Sequence, residues 1–193
     1  ASNSVGSIAN FPTVWSSNNV DGVLLKILNS AQENVTTGVV YQQGATATGG
    51  NIRSEYVVPM SVRDLFLTTD VRRNAYMRQS SYQGQQRNHV IKYAVNTGGG
   101  TTLNVVEPKY LRTAEVYLNV AEAAYRQGGQ EVLANTLLNT LKAQRYTGYT
   151  AVTLTGTALL DEILLQRRLE LAFETDRFYT LKRLGLTLQR TGE

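Results

Sequence analysis

LLQRRLELAFETDRFYTLKRLG, residues 164–185, sets Arg167, Glu170, Glu174 and Arg177 at successive steps of three, four and three residues. A continuous helix places side chains at those spacings on one stripe, with an arginine beside each glutamate. The charges alternate with Leu169, Leu171, Phe173, Phe178 and Leu181, so they are set into an apolar surface. Two carboxylates could in principle act as general acid and base. Each, however, lies beside an arginine that favours its ionised form, which suits a structural ion network better than a proton shuttle. The stretch therefore reads as scaffold, and it directs the search for function elsewhere.

Outward from this ladder the C-terminal half is helical. From Pro108 the residues Leu111, Ala114, Leu118, Ala121 and Tyr125 recur at three and four positions, the period of one helix face. Pro108 suits a first helical turn and Gly128-Gly129 the stop. A second helix is expected over 130–145, its stripe formed by Ala134, Leu137, Leu138 and Leu141, antiparallel to the first. Thr157 is the expected N-cap of a third helix, with Asp161 and Glu162 in its early turns where the dipole favours acids. That helix should run to about Glu174, and a shorter fourth should occupy 176–184. Small residues at Ala114, Ala121, Ala123 and Ala134 allow close helix approach. The fold class expected is mainly α, tetratricopeptide-like helical hairpins with a long loop-rich N-terminal portion and a few short strands. A plain helical bundle is the alternative.

Residues 1–105 differ in texture from 106–193, being rich in Gly, Ser, Thr, Asn and Gln with short apolar runs. Short strands are expected at 23–27 (VLLKI) and 39–41 (VVY). Short helices are expected at 61–67 and 70–78. Gly98, Gly99 and Gly100 read as a turn. With 193 residues and 42% hydrophobic composition, the chain can bury a true core.

Composition also narrows the chemistry. The chain has no cysteine and a single histidine, His89, which removes disulfides and leaves no Cys/His set for a metal cluster. No run of about 18 apolar residues is present, the length a membrane-spanning helix needs. Neither a nucleophile motif nor a phosphate-binding loop occurs, so a non-enzymatic binding protein without cofactor is expected. The net charge of +4 comes mostly from residues 63–92, which hold six basic and two acidic groups. Arg63, Arg72, Arg73, Arg78, Arg87 and Lys92 interleave there with Tyr76 and Tyr82, followed by Tyr93. Such a mixture can contact phosphates and stack on bases, but six cations over thirty residues fit a solvated or structural face better. No nucleic-acid partner is expected.

Three ordered blocks carry a resemblance: LRTAEVYLNVAEAAYRQGG at 111–129, LLNTLKAQR at 137–145 and ILLQRRLELAFETDRFYTLKRLG at 163–185. They resemble the C-terminal helical region of the SusD/RagB family, through Arg112, Ala114, Glu115, Tyr117, Leu118, Ala121, Glu122 and Ala123. Upstream, Asp70 and Arg72 and the later Lys92 and Tyr93 are similar to the family as well. This chain has Gln166 where the family has an acidic residue, Thr175 where it has glycine, and Thr180 where it has aspartate before Leu181. The resemblance implies a glycan-binding lipoprotein at the bacterial outer-membrane surface, delivering its ligand to a SusC-like TonB-dependent transporter. Membrane attachment would be through a lipid anchor that this chain does not carry. The start at ASNSVGS and the stop at Glu193 suggest a piece covering the C-terminal half, or a short member.

The resemblance also implies ligand-contacting aromatics in loops ahead of the helical block. Sugars are held by aromatic faces and by amides, carboxylates and arginines on exposed loops. The candidates are Tyr41, Gln42, Asn51, Arg53 and Tyr56 in the polar tract 36–56, and Tyr82 with Gln83, Gln86 and Arg87 nearby. Trp15, the single tryptophan, is either a stacking platform or a small-core anchor. His89 has no visible partner and reads as structural. A protein-interaction module, with the helical pairs offering a groove, is the alternative function.

Overall fold

The structure, a computed structural model, describes residues 4–15, 19–28, 56–82, 85–93 and 107–187, with the side chains of residues 80–82 excepted. In chain order the elements are α1 (Phe11–Val14), β1 (Val23–Lys26), α2 (Met60–Arg63), α3 (Val71–Tyr76), β2 (Met77–Tyr82), β3 (Gln85–Val90), β4 (Lys109–Arg112), α4 (Thr113–Gln127), α5 (Glu131–Ala143), α6 (Gly156–Glu170) and α7 (Asp176–Arg183). The molecule is mainly helical with a few short strands, as its periodicity predicts. The expected strand at 39–41, the Gly98–Gly100 turn and the candidates Tyr41, Gln42, Asn51 and Arg53 lie outside the described residues.

Helices α4, α5 and α6 share one core. Ala114, Leu118, Ala121 and Ala124 of α4 meet Ala134, Leu138 and Leu141 of α5 and Leu159 and Ile163 of α6, all buried, with Val5 closing one end. Each fully buried Leu or Ile there stabilises by roughly 1.5–3 kcal/mol. Alanine on the facing stripe lets the backbones approach, and α4 stops at Gly128, whose φ of 78° favours glycine.

A second core gathers Phe11, Val14, Trp15, Val58, Phe66, Tyr76, Met77, Val90 and Leu169. Phe11, Trp15 and Phe66 surround the Tyr76 ring at tilted or edge-on angles, with centroids 5.4–6.2 Å away. Because Ile163 belongs to the first core and Leu169 to the second, α6 joins them. The strands form two separate two-stranded antiparallel sheets, β1 with β4 and β2 with β3.

Several boundaries differ from expectation. Pro108 precedes strand β4, not a helical turn, and α4 begins at Thr113. The backbone there is drawn extended because β1 pairs with it. Leu111 is consequently 51% exposed on β4 instead of lying on the helical stripe. Thr155, not Thr157, stands at the N-cap position of α6, and it makes no side-chain capping bond. The helix ends at Glu170 rather than Glu174, because Phe173 and Thr175 take φ of 68° and 65°, which no right-handed helix accommodates. The short helix expected over 70–78 stops at Tyr76, where the chain turns extended into β2.

Close backbone approach fixes the N-terminal segment. A Cβ on Gly22 would stand 2.8–2.9 Å from the backbone of Val5 and Gly6, so only glycine lets β1 pass there.

Candidate functional site

Two places concentrate chemistry: a buried charge cluster between the cores, and a surface groove against β3. The cluster centres on Glu170, which is fully buried. Its Oε1 accepts from Arg112 Nη1 at 2.6 Å and Arg145 Nη2 at 3.1 Å. Its Oε2 accepts from Arg145 Nε at 2.9 Å and Arg72 Nη1 at 3.3 Å. Arg72 is itself fully buried and forks onto Asp70, with Nε–Oδ1 at 2.9 Å and Nη2–Oδ2 at 2.8 Å. Asp70 is also the N-cap of α3, accepting from the Arg72 backbone N–H. Gln166 accepts from Arg72 through Oε1 at 2.8 Å and donates to the Tyr146 hydroxyl at 2.8 Å. Glu174 accepts from Arg112 Nη2 at 2.6 Å and from Lys92.

Aromatic rings wall this cluster. Lys92 Nζ sits 3.9 Å from the Tyr76 ring centroid and 4.5 Å from that of Trp15, within cation–π range. Burial alone would raise the Glu170 carboxyl, but Arg145, Arg112 and Arg72 outweigh it and hold the group far below the usual carboxylate range. Burial brings the Lys92 ammonium down to about 8 against the opposing pull of Glu174. A carboxylate held ionised this firmly has no proton to donate near neutral pH.

The four-residue ladder expected on one stripe is thus corrected. Glu170 takes its partners from Arg72, Arg112 and Arg145, all distant in sequence. Arg167 instead reaches Asp176 at 2.6 Å, Glu115 at 3.5 Å and Asn119 at 2.5 Å. Arg177 is exposed and stands outside both groups. The turn after Glu170 breaks the stripe: donors from elsewhere take its carbonyls, with Tyr76 Oη on Glu170 O at 2.9 Å and Lys92 Nζ on Ala172 O at 2.9 Å. The basic segment 63–92 is also no surface patch, since Arg72 and Lys92 are spent inside.

Trp15 is a core anchor. At 5% exposed, beneath Lys92 and beside Arg112, it offers no face to a ligand, which corrects its candidacy as a stacking platform. Tyr56 is 58% exposed. Tyr82 ends β2, opposite Gln85.

Tyr56 leads into Val57–Pro59, which lies along the edge of β3, with Val58 N–H donating to Asn88 O at 2.8 Å. A cavity of about 340 Å³ is lined by Val57, Val58, Pro59, Met60, Gln86, Arg87 and Asn88. A second cavity of about 240 Å³ shares Val57, Val58 and Pro59 with it and lies among Tyr56, Val62, Val90 and Phe173. Asn88 is buried, and its Nδ2 donates to Val58 O at 3.2 Å and to Met60 Sδ at 3.0 Å. Its Oδ1 has no hydrogen-bond partner among the described residues. A buried acceptor left unpaired costs about 1–3 kcal/mol.

The larger cavity brings Gln86 and Arg87 together and adds Met60 and Asn88, while Tyr56 lines the smaller one with Phe173; Met60, Asn88 and Phe173 are residues that sequence reasoning missed. An alternating hairpin pattern would have revealed Asn88, but MRQSSYQGQQRNHV is almost wholly polar. His89 is buried with both ring nitrogens unpartnered among the described residues, and burial, with Arg78 opposite, lowers its pKa. Among the described residues no group of three or more His, Asp or Glu side chains gathers as metal ligands.

The family model for the SusD family matches residues 37–193. The chain belongs to the SusD family. Its fold superposes on a SusD superfamily protein from Bacteroides thetaiotaomicron with TM-score 0.76 and 24% identity, covering 97% of this chain and 43% of that one. A putative sugar binding protein from Bacteroides vulgatus matches with TM-score 0.72 and 25% identity over 97% of this chain and 40% of its own. Surface glycan-binding protein A from Bacteroides uniformis matches with TM-score 0.69 and 21% identity over 98% and 42%. The chain spans less than half the length of these solved relatives. No curated protein matches it. Among the described residues no helix of this SusD-family chain is long and apolar enough to cross a membrane.

Proposed function

We propose that this SusD-family chain is part of a non-enzymatic glycan-binding protein of the bacterial cell surface, which hands oligosaccharide to a TonB-dependent outer-membrane transporter. The observation that carries this is the groove along β3. It places amide and guanidinium groups, Gln86 and Arg87, in one cavity and an exposed aromatic, Tyr56, in a second that shares Val57, Val58 and Pro59 with it. A sugar ring presents C–H faces and hydroxyls, and those two kinds of group meet them. Family membership and solved relatives named as sugar- and glycan-binding support the same class of ligand. The carboxylates of the buried cluster are held by arginines in an architectural role, and no catalytic step is assigned to them.

Calorimetric titration with a panel of soluble oligosaccharides tests this. One class should bind, and Tyr56→Ala or Gln86→Ala should weaken it roughly tenfold, about 1.4 kcal/mol, without changing Tm. Binding unaltered in both variants would remove the groove from consideration. For the transporter, the full-length lipoprotein should co-purify with a TonB-dependent barrel from outer membranes.

One observation favours a protein contact as a second role. Leu24, Leu25, Ile27, Tyr110 and Leu111 on or beside the β1–β4 sheet are 48–58% exposed, a density of apolar surface that marks interaction sites. A Leu24→Ser, Leu25→Ser variant that kept glycan binding but lost a captured partner would separate the two.

A further inference from the structure

Resting on the glycan reading of the groove, we propose that its ligand is a glycan carrying an aromatic acyl ester, with the sugar along Gln86 and Tyr56 and the aryl ring seated in the smaller cavity. That cavity, about 240 Å³, is lined by Tyr56 and residues 57–59 together with Val62, Val90 and Phe173, with no charged or amide side chain among them. An apolar cavity of about 150 Å³ is enough for a benzene ring. A sugar ring placed inside would strip water from its hydroxyls, with only the Tyr56 hydroxyl among the side chains to replace it, which costs free energy. An aryl group meets no such cost and removes apolar surface from water.

The recess is preformed. Val58 and Val90 are buried, Val62 and Phe173 are half-buried, and Tyr56 and Val57 stand 58% and 48% exposed at its margin. The Phe173 backbone takes φ of 68°, and it is held by Tyr93 Oη donating to Phe173 O at 2.5 Å and by Lys92 Nζ donating to Ala172 O at 2.9 Å. A phenylalanine persists in that conformation only where its surroundings impose it, and such positions gather at ligand clamps. A preformed apolar cavity with polar groups at one end is the usual form of a small-molecule site.

Continuity with the polar cavity makes the occupant part of a glycan and not a free apolar molecule. Both cavities include residues 57–59. Side chains alternate between faces along a strand, and the β2–β3 register runs unbroken to Val90, so Gln86, Asn88 and Val90 share one face of β3. Gln86 lines the larger cavity and Val90 the smaller, a separation of about 14 Å at roughly 3.4 Å per residue. A disaccharide carrying one aryl ester spans that distance, with Gln86 hydrogen-bonding the sugar and Tyr56 stacking on it at the mouth of the recess.

The experiment titrates the whole chain calorimetrically with neutral gluco-, xylo-, manno- and galacto-oligosaccharides, each as the free sugar and as its mono-benzoyl ester. At least one ester should bind about tenfold more tightly than its own free sugar, with a more negative heat-capacity change and a ratio that holds between 50 and 500 mM salt. Val62→Asp, which puts a charge into the lining, should bring the ratio of ester to free-sugar affinity to about one. Val62→Phe, which fills the recess without a charge, should do the same, and the Tm of each variant reports that it is folded. Esters bound no more tightly than free sugars, or a ratio kept by both variants, would overturn the proposal and leave the glycan reading standing. Failure of every sugar, free or esterified, would count against both.

Discussion

Removing the charge from Glu170 leaves three buried guanidinium groups facing a neutral amide. Glu170→Gln is expected to cost roughly 3–5 kcal/mol, the usual penalty for stranding a buried charge, measured by guanidinium chloride unfolding. Glu115→Gln, on a partly exposed pair, should cost under about 1 kcal/mol. The pH dependence follows from the direction of the shifts. The folded Glu170 carboxyl lies below its unfolded value of 4.5, so its contribution is complete above that pH and is lost as pH falls below it. Lys92 acts with the opposite slope. Its folded value of about 8 lies below the ordinary 10.5, so between these the unfolded chain binds the extra proton and stability gains with rising pH. Lys109 shifts the same way, so the informative comparison is wild type against Lys92→Met, whose Tm should gain less between pH 8 and 10. Thr175 holds φ at 65°, where a β-branched residue is strained. The glycine that the family places there fits this backbone, and Thr175→Gly should add about 1 kcal/mol.

At the scale of elements, the α4–α5–α6 core is carried by a few large side chains between alanines. Leu138→Ala or Ile163→Ala should therefore cost about 2–5 kcal/mol and leave a cavity, checked by thermal unfolding. These helices were legible in the sequence because a period of 3.6 with glycine stops is a local signal. Gly128 and the stripe Ala114, Leu118, Ala121 state it within one segment. The β2–β3 hairpin was not legible. Its arginines, glutamines and serines have weak strand preference, and its inner face is paired with Val58 and packed through Val90, contacts made far along the chain. The end of α6 was hidden for a similar reason. Periodicity continues past Glu170, while the donors that take up the carbonyls of the turn, Tyr76 and Lys92, sit 94 and 80 residues away.

For the whole molecule, the two cores are joined by charge instead of by apolar packing alone, and this separates scaffold from surface. Trp15→Ala should cost roughly 3–5 kcal/mol with intrinsic glycan affinity unchanged below the melting temperature. Tyr56→Ala should do the reverse, moving Tm little while weakening binding, and the pair of measurements distinguishes a buried aromatic from an exposed one. Sequence alone could name Tyr56 and Arg87 as candidates by residue type. It could not rank Trp15 against them, since its burial depends on Lys92, Arg112 and Tyr76 arriving from three other segments.

Glu170 also sets an order of events during synthesis. Arg145 is clamped to the carbonyls of Val5 and Gly6 at 2.7 and 3.1 Å, and Arg72 and Arg112 converge on the same carboxylate. A chain emerging from the ribosome N-terminus first presents all three cations before Glu170 exists, and of the three only Arg72 is paired with another carboxylate close in sequence, Asp70. The cluster around Glu170 is expected to close only after residue 170 has left the exit tunnel, and nascent chains stalled before that point should remain sensitive to protease while those stalled well beyond it resist.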